Sequence, residues 1–298
     1  MNYGRRLDET PGQRLKRRAA IAGLSAARLA EWLLDSQGYP CPPVQTRADL
    51  GHLAAEERLS LTRQDGAAEP LLEAGKRHNV RLALAAFDGR ILHPERPLSF
   101  WRTLGPATAA RGFRHGMELQ AGCVVPAIGG GLCLLSNGLF RIAAKLGWII
   151  LERHGHSTEA VPDHAPVWGL DATLFFPYVD LRIAPRTGQA RLALSIEGDE
   201  LVIQVFSASP SPLRVELESE ALPVPDGPER MRASRIHRRI FNAAGELLEH
   251  EVIAENSKRL LHDQAQRKRS CLSCGELSCH AKPSDAELSA SRRLLEAA

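Results

Sequence analysis

Cys133 follows three consecutive glycines in Gly129-Gly130-Gly131-Leu132-Cys133. Apolar residues from Leu132 to Lys145 predict a buried helix that begins at that point. A cysteine in the first turn of a helix sits in the positive end of the backbone dipole, which can lower a thiol pKa from about 8.5 toward neutrality. Orphan amides of the same turn can hold an oxyanion. These are the ingredients of a nucleophilic thiol, although the same residues taken alone also suit a small core side chain beneath a packing turn. A second polar group follows in Glu152-Arg153-His154-Gly155-His156-Ser157. If the strand predicted from Trp148 to Arg153 continues, alternation puts Glu152, His154 and His156 on one face. Two such histidines supply a base with its orienting partner, or a pair of metal ligands. A thiol at a helix start, then a strand bearing histidine, then another carrying a polar residue, is the chain order of papain-like thiol enzymes. The third residue is Asp171 or Asp180. In this reading Cys133 attacks, His156 accepts its proton with His154 as the competing partner, and Asp171 orients the imidazole. Gly129, Gly130, Gly131, Ser136, Asn137 and Arg153 then form the substrate side of the site.

The runs RHNVRLALAAFDGRILHP, LSFWRTLGPATAARGFRHG, GGGLCLLSN, ERHGHS and DATLFFPYVDL together resemble the VanW-like family, named for an accessory protein of vancomycin resistance clusters. The resemblance covers about residues 77 to 184, and the GGGLC and ERHGHS blocks are its most specific parts. It implies membership and an association with cell-wall antibiotic resistance, without naming a reaction. The family pattern commonly has Gln immediately after the cysteine. Leu134 stands there in this sequence, a departure that favours a binding role over catalysis.

Cys271-Leu272-Ser273-Cys274-Gly275 is a second chemical signal, followed by Cys279 and His280. Two thiols separated by two residues form the knuckle that bends a backbone around a tetrahedral metal, and a third thiol can close on it. Zinc or an iron–sulfur cluster both fit Cys271, Cys274, Cys279 and His280, with His262 or Cys41 as other candidates for the fourth position. The competing reading is a reduced tail that binds nothing. No P-loop and no dinucleotide fingerprint occurs, so no nucleotide cofactor is expected.

The elements that must position these groups are visible as periodicity. Residues 12 to 37 read as an amphipathic helix and PCPP at 40 to 43 as a linker. A polar helical region follows over 47 to 78, and Val80 to Phe87 reads as a strand. Further strands are expected at 117 to 125, 148 to 153, 171 to 176, 179 to 184, 190 to 197 and 200 to 207. The last two form a hairpin across Glu197-Gly198-Asp199, and a second hairpin pairs 235 to 242 with 247 to 254. The loop from Pro126 to Gly131 is expected to be tight and flexible. The pattern predicts an α+β fold: a mixed helix and antiparallel-sheet core of papain-like order with a β-rich extension. The expected divisions are a helical region at 1–76, the VanW-like core at 77–207, a β-hairpin extension at 208–262 and a Cys-rich tail at 263–298.

Composition narrows the function classes. With 298 residues, 44% hydrophobic and 24% charged, the chain has the make-up of a soluble globular protein. No run approaches the roughly 20 apolar residues of a membrane helix, and Arg28 and Glu31 interrupt the amino-terminal stretch that would otherwise suggest a leader. Six cysteines without a secretion signal point to reduced thiols and a cytoplasmic location. The basic patches near the amino terminus and at Arg267, Lys268 and Arg269 read as solvated faces on a chain of net charge +3, so nucleic acid is not expected as a partner. The expected activity is thiol-dependent amide hydrolysis or acyl transfer on a small-molecule, peptide-like or cell-wall-related substrate, with no oligomeric state implied. Two alternatives compete: a non-catalytic binding or scaffold protein with a structural metal, and a metal-dependent hydrolase using His154, His156 and Asp171.

Overall fold

The computed structural model describes residues 10–34, 49–62, 70–120, 123–159, 167–227 and 230–260, with the single positions 289 and 293. The chain opens with α1 (Pro11–Leu34), β1 (His52–Ser60) and α2 (Pro70–Phe87), then β2 (Ile91–Leu92), β3 (Leu98–Ser99) and α3 (Phe100–Leu104). The hairpin β4 (His115–Gln120) and β5 (Cys123–Ile128) leads into α4 (Cys133–Lys145) and β6 (Ile149–Glu152). There follow β7 (Thr158–Glu159), β8 (Arg182–Ala184), β9 (Ala190–Glu197), β10 (Glu200–Ser207), β11 (Arg214–Leu222), β12 (Met231–Phe241) and β13 (Leu247–Leu260). Two four-stranded sheets, ordered β1-β10-β9-β2 and β11-β12-β13-β7, are joined by a three-stranded sheet β3-β8-β6 and the β4-β5 pair. All pairings are antiparallel except β13 with β7. The fold is thus α+β, as the pattern predicts.

Helix α4 is the element that both large sheets share. Leu135, Leu139, Phe140, Ile142, Ala143 and Ala144 are buried, which makes the helix apolar on nearly every side, as a core helix must be. Gly138 lets it press against Ile203 of β10 and Leu59 of β1, and Gly147 beyond its end packs against Val215 of β11 and Ile240 of β12. Burying each large apolar side chain contributes roughly 1.5–3 kcal/mol. The helix start, and with it Cys133, is therefore fixed by the core of both sheets.

Several elements differ from their sequence patterns. The segment expected as a strand from Val80 to Phe87 is the second half of α2. Leu72, Lys76, Asn79, Val80, Ala83, Leu84 and Phe87 are buried at helical spacing over a longer window than the local alternation spans. The polar region expected to be helical over 47 to 78 is so from Pro70, but its earlier part contains β1, whose Ala-Ala-Glu-Glu run is pulled into a strand by pairing with β10 from His52↔Ser207 to Ser60↔Glu200. The single strand expected over 117 to 125 is the β4-β5 hairpin. Strand β11, with no counterpart in the expected pattern, covers the outer edge of β12. No strand forms over 171 to 176, where the chain is held by side-chain bonds described below.

The triple glycine is a close-packed crossing rather than a flexible loop. A Cβ on Gly130 would stand 2.4 Å from the Gly116 carbonyl carbon, and one on Gly131, at φ +100, would stand 2.4 Å from Cγ of Lys76. Gly75 of α2 meets the same hairpin, since a Cβ there would lie 1.9 Å from the His115 carbonyl oxygen. Gly→Ala inside a helix ordinarily stabilises by about 0.5–1 kcal/mol. Gly75→Ala is predicted to do the opposite, lowering unfolding stability by about 1–3 kcal/mol through overpacking against backbone. Chemical denaturation of the two proteins checks this, and a stabilised variant would contradict the crossing.

Candidate functional site

The connection after β6 and the segment before β8 bring three of the expected residues together. Strand β6 ends at Glu152, so His156 lies beyond it in an irregular segment, and the expectation of a continuous histidine-bearing strand is corrected. What holds His156 there is Asp171: its Oδ2 accepts the backbone amide of His156 at 3.0 Å and a close hydrogen bond from Nδ1 of the same residue. With Nδ1 engaged, Nε2 is the nitrogen left for the Cys133 side chain, which lies within hydrogen-bonding reach of the ring. Cys133 is the first residue of α4, as expected. Burial disfavours charge on His156, but the Asp171 carboxylate and Cys133 outweigh it and raise the imidazole to about 9. Asp171 is pushed up by burial and pulled down further by His156, Lys258 and Arg153, which hold its carboxyl well below the usual carboxylate range.

The socket around Asp171 comes from distant parts of the chain. Its Oδ1 accepts from Arg153 and from Lys258, each at 2.9 Å. Arg153 also donates to the Asp171 carbonyl at 2.6 Å, the Gly169 carbonyl at 2.8 Å and Asn256 Oδ1 at 2.7 Å. Its guanidinium is thus committed to holding the 169–171 backbone in place. Lys258 lies between Asp171 and the Trp168 ring, 4.9 Å from its centroid. Neither Lys258 nor Asn256 stands out in the sequence. Both occupy inward positions of β13 beyond the expected hairpin, where alternation with Ala254 is the one signal that they face the interior.

Ser136 and Asn137, read from sequence as substrate-binding, fasten α4 to the same segment. Ser136 Oγ donates to the Ala172 carbonyl at 2.6 Å, and Asn137 Oδ1 accepts the Ala172 amide at 2.8 Å. Gly129, Gly130 and Gly131 serve the crossing described above. His154 separates from the cluster: its Nε2 pairs with Glu152 Oε1 at 3.2 Å. Burial raises the Glu152 carboxyl, but the His154 hydrogen bond and the charge of Arg28 lower it overall. Arg28 of α1 reaches that carboxylate at 2.7 and 2.8 Å. Asp180, the other candidate for the third position, is a structural group. It accepts from Ser99 and from the Trp101 and Leu181 amides, at 3.1 and 2.9 Å, and burial pushes its carboxyl up to about 6.

Among the described residues no three His, Cys, Asp or Glu side chains converge as metal ligands. Cys41, His262, Cys271, Cys274, Cys279 and His280 lie outside the described residues. No helix of the described residues is long and apolar enough to cross a membrane.

An α+β protein with a partly buried Cys-His-Asp cluster is the class that fold and site define. Residues 75–206 match the family model described as VanW like protein, so that segment of the chain is similar to the VanW-like family. The chain is 25% identical over 161 residues to the Vancomycin B-type resistance protein VanW of Enterococcus faecalis, covering 53% of this chain and 58% of that protein. It is 27% identical over 155 residues to the Uncharacterized protein YoaR of Bacillus subtilis, covering 52% and 48%. The chain spans about half the length of the curated relatives it matches. No solved structure matches it. The matched segment contains Cys133, Arg153, His156 and Asp171, whereas Asn256 and Lys258 lie beyond it.

Replacing Asp171 by Asn leaves three cationic side chains around a neutral amide. Removing one partner of a buried ion pair costs about 3–5 kcal/mol. The depressed Asp171 carboxyl contributes stability above roughly pH 4 and loses it as pH falls. The raised His156 contributes fully below 6.5 and loses its share as pH rises through about 9. The stability difference between wild type and Asp171→Asn is therefore predicted to be largest between about pH 4 and 6.5 and smaller on both sides. Urea denaturation across pH checks it, and a pH-independent difference would contradict the ionic assignment.

Proposed function

We propose that this VanW-like protein is a cysteine-dependent amide hydrolase or acyl transferase acting on peptide-like substrates related to the cell wall. The observation that carries the reading is the order Cys133, His156 ring, Asp171 carboxylate, with the ring hydrogen-bonded to the carboxylate and the thiol beside the ring. The name of the Enterococcus faecalis relative supports the cell-wall setting and a link to glycopeptide resistance.

In this mechanism the Asp171 carboxylate fixes the His156 tautomer and orientation and favours the imidazolium. From the neutral form of the imidazole, the Cys133 proton passes to Nε2, and the sulfur attacks the carbonyl carbon of a bound amide. The oxyanion meets the Cys133 amide at the start of α4, since the amides of Leu134, Leu135 and Ser136 are taken by the Gly131 and Leu132 carbonyls. Collapse breaks the C–N bond while His156 returns its proton to the leaving amine, and a thioester remains on Cys133. Water then gives the acid, or a second amine gives a new amide. Three cationic groups face one carboxylate in the socket, and the surplus positive charge favours the negative charge that develops during attack. The metal-dependent alternative is disfavoured because Nδ1 of His156 is spent on Asp171 and His154 is paired with Glu152. Leu134 is the observation that favours the non-catalytic binding reading, since it packs against the core where the family pattern commonly carries an amide side chain.

Iodoacetamide labelling of the full chain, followed by peptide mass spectrometry, separates the readings. At neutral pH Cys133 is expected to react faster than Cys41 and Cys123, and His156→Ala to slow it by at least about tenfold, whereas His154→Ala leaves it near the wild-type rate. If Cys133 is the slowest of the three, or indifferent to His156→Ala, the thiol mechanism fails.

A further inference from the structure

Beside the cluster, a cavity of about 560 Å³ opens where two chain segments diverge. One wall is the connection through His154 and Gly155, joined by Thr173, and the other is the stretch of β13 from Val252 to Glu255. The geometry follows from the second sheet. Strand β7 pairs with β13 only at Arg259↔Thr158 and Leu260↔Glu159, while β12 covers the opposite edge of β13 from Arg259 back to Leu247. Backward from Thr158 the chain leaves the sheet, because Asp171 captures His156 and the His154 carbonyl is taken by the Thr173 amide at 2.8 Å. Among the described residues, an edge of β13 is thereby left beside the cavity without a neighbouring strand.

The direction of the backbone groups on that edge can be read from two bonds. The Arg259 amide donates to the Ser157 carbonyl, on the β7 side, and the Leu260 amide donates to the Arg230 carbonyl, on the β12 side. Alternation then turns the N–H and C=O groups of Ser257 and Glu255 toward β7 and the cavity. At Ile253 the pairing with β12 slips, since Ala254 pairs with Ile236 and Val252 with His237, so Ile253 has no partner in the register. Such a bulge twists a strand edge outward and is found beside binding sites. The floor of the cavity includes Arg153, whose guanidinium holds Asp171.

We infer that this open edge of β13 binds an extended peptide, which adds as a further strand along Glu255 and Ser257 and so runs past His154 and Gly155, the residues that lead into His156. The inference rests on the amide chemistry proposed above and supplies its substrate class: a linear peptide in extended conformation, recognised first through its backbone. A strand edge offers donors and acceptors that only another extended backbone satisfies in series, with side-chain pockets adding selectivity. His154 and Thr173 on the facing wall would then contact alternate side chains of the bound strand.

The test uses the full-length Cys133→Ala protein and three forms of acetyl-hexa-alanine amide, unmodified and N-methylated along one edge or both, so that no thiol chemistry enters the readout. Amide hydrogen exchange followed by NMR is expected to slow at least about tenfold at Glu255 and Ser257 on adding millimolar peptide. A peptide N-methylated along one edge should retain the effect, because its other edge can still pair, and one N-methylated along both edges should lose it. Unchanged exchange at both residues, or equal protection by the doubly methylated peptide, overturns the strand-addition site. Protection in this protein combined with an inert Cys133 in the labelling experiment would keep the peptide cleft and remove the thiol reaction.

Discussion

The charge on Asp171 is the interaction on which the site depends. Its side chain is only 10% exposed, and a carboxylate taken out of water costs several kcal/mol unless partners replace the lost solvation. Those partners are gathered from separated elements: His156 and Arg153 after β6, and Lys258 on β13. Ser136 and Asn137 of α4 grip the adjacent residue Ala172, so the helix that carries Cys133 is tied to the segment that carries the carboxylate. One buried negative charge thus sets the relative placement of α4, the β6–β7 connection and the second sheet. The same charge raises His156, which couples the stability of the socket to the protonation of the group nearest the thiol.

Much of the core of this site was legible in the sequence. A glycine run followed by an all-round apolar segment identified the helix start, and Cys133 occupies its first position because that helix is buried between both large sheets. The histidine pair and the acidic residue could be named, but not sorted. His156 rather than His154 meets Cys133 because β6 stops at Glu152, whose carboxylate takes His154 and Arg28. Asp171 rather than Asp180 is the third member because Asp180 is consumed by backbone amides around Ser99. Strand alternation alone cannot distinguish these outcomes, since tertiary hydrogen bonds decide them.

Other features had no local signal. Strand β1 is written in residues that favour helix, and only its pairing with β10 makes it a strand. The glycines at 129 to 131 suit a ligand-cradling loop and a close-packed crossing equally well, until Gly116, Lys76 and Ala107 are seen against them. Lys258 and Asn256 lie outside the segment that matches the family, yet they complete the Asp171 and Arg153 contacts. The β-rich region after residue 207 is therefore part of the site rather than an appendage to it.

The most direct test of this account is a titration of the His156 ring nitrogens by NMR in the folded chain. The account predicts a midpoint near 9, with the Nδ1 proton retained on the Asp171 side. It further predicts that Asp171→Asn drops the midpoint below the ordinary value of 6.5, because burial then acts without the carboxylate. A midpoint near 6.5 in the wild type, unmoved by Asp171→Asn, would contradict the claim that one buried charge organises the site.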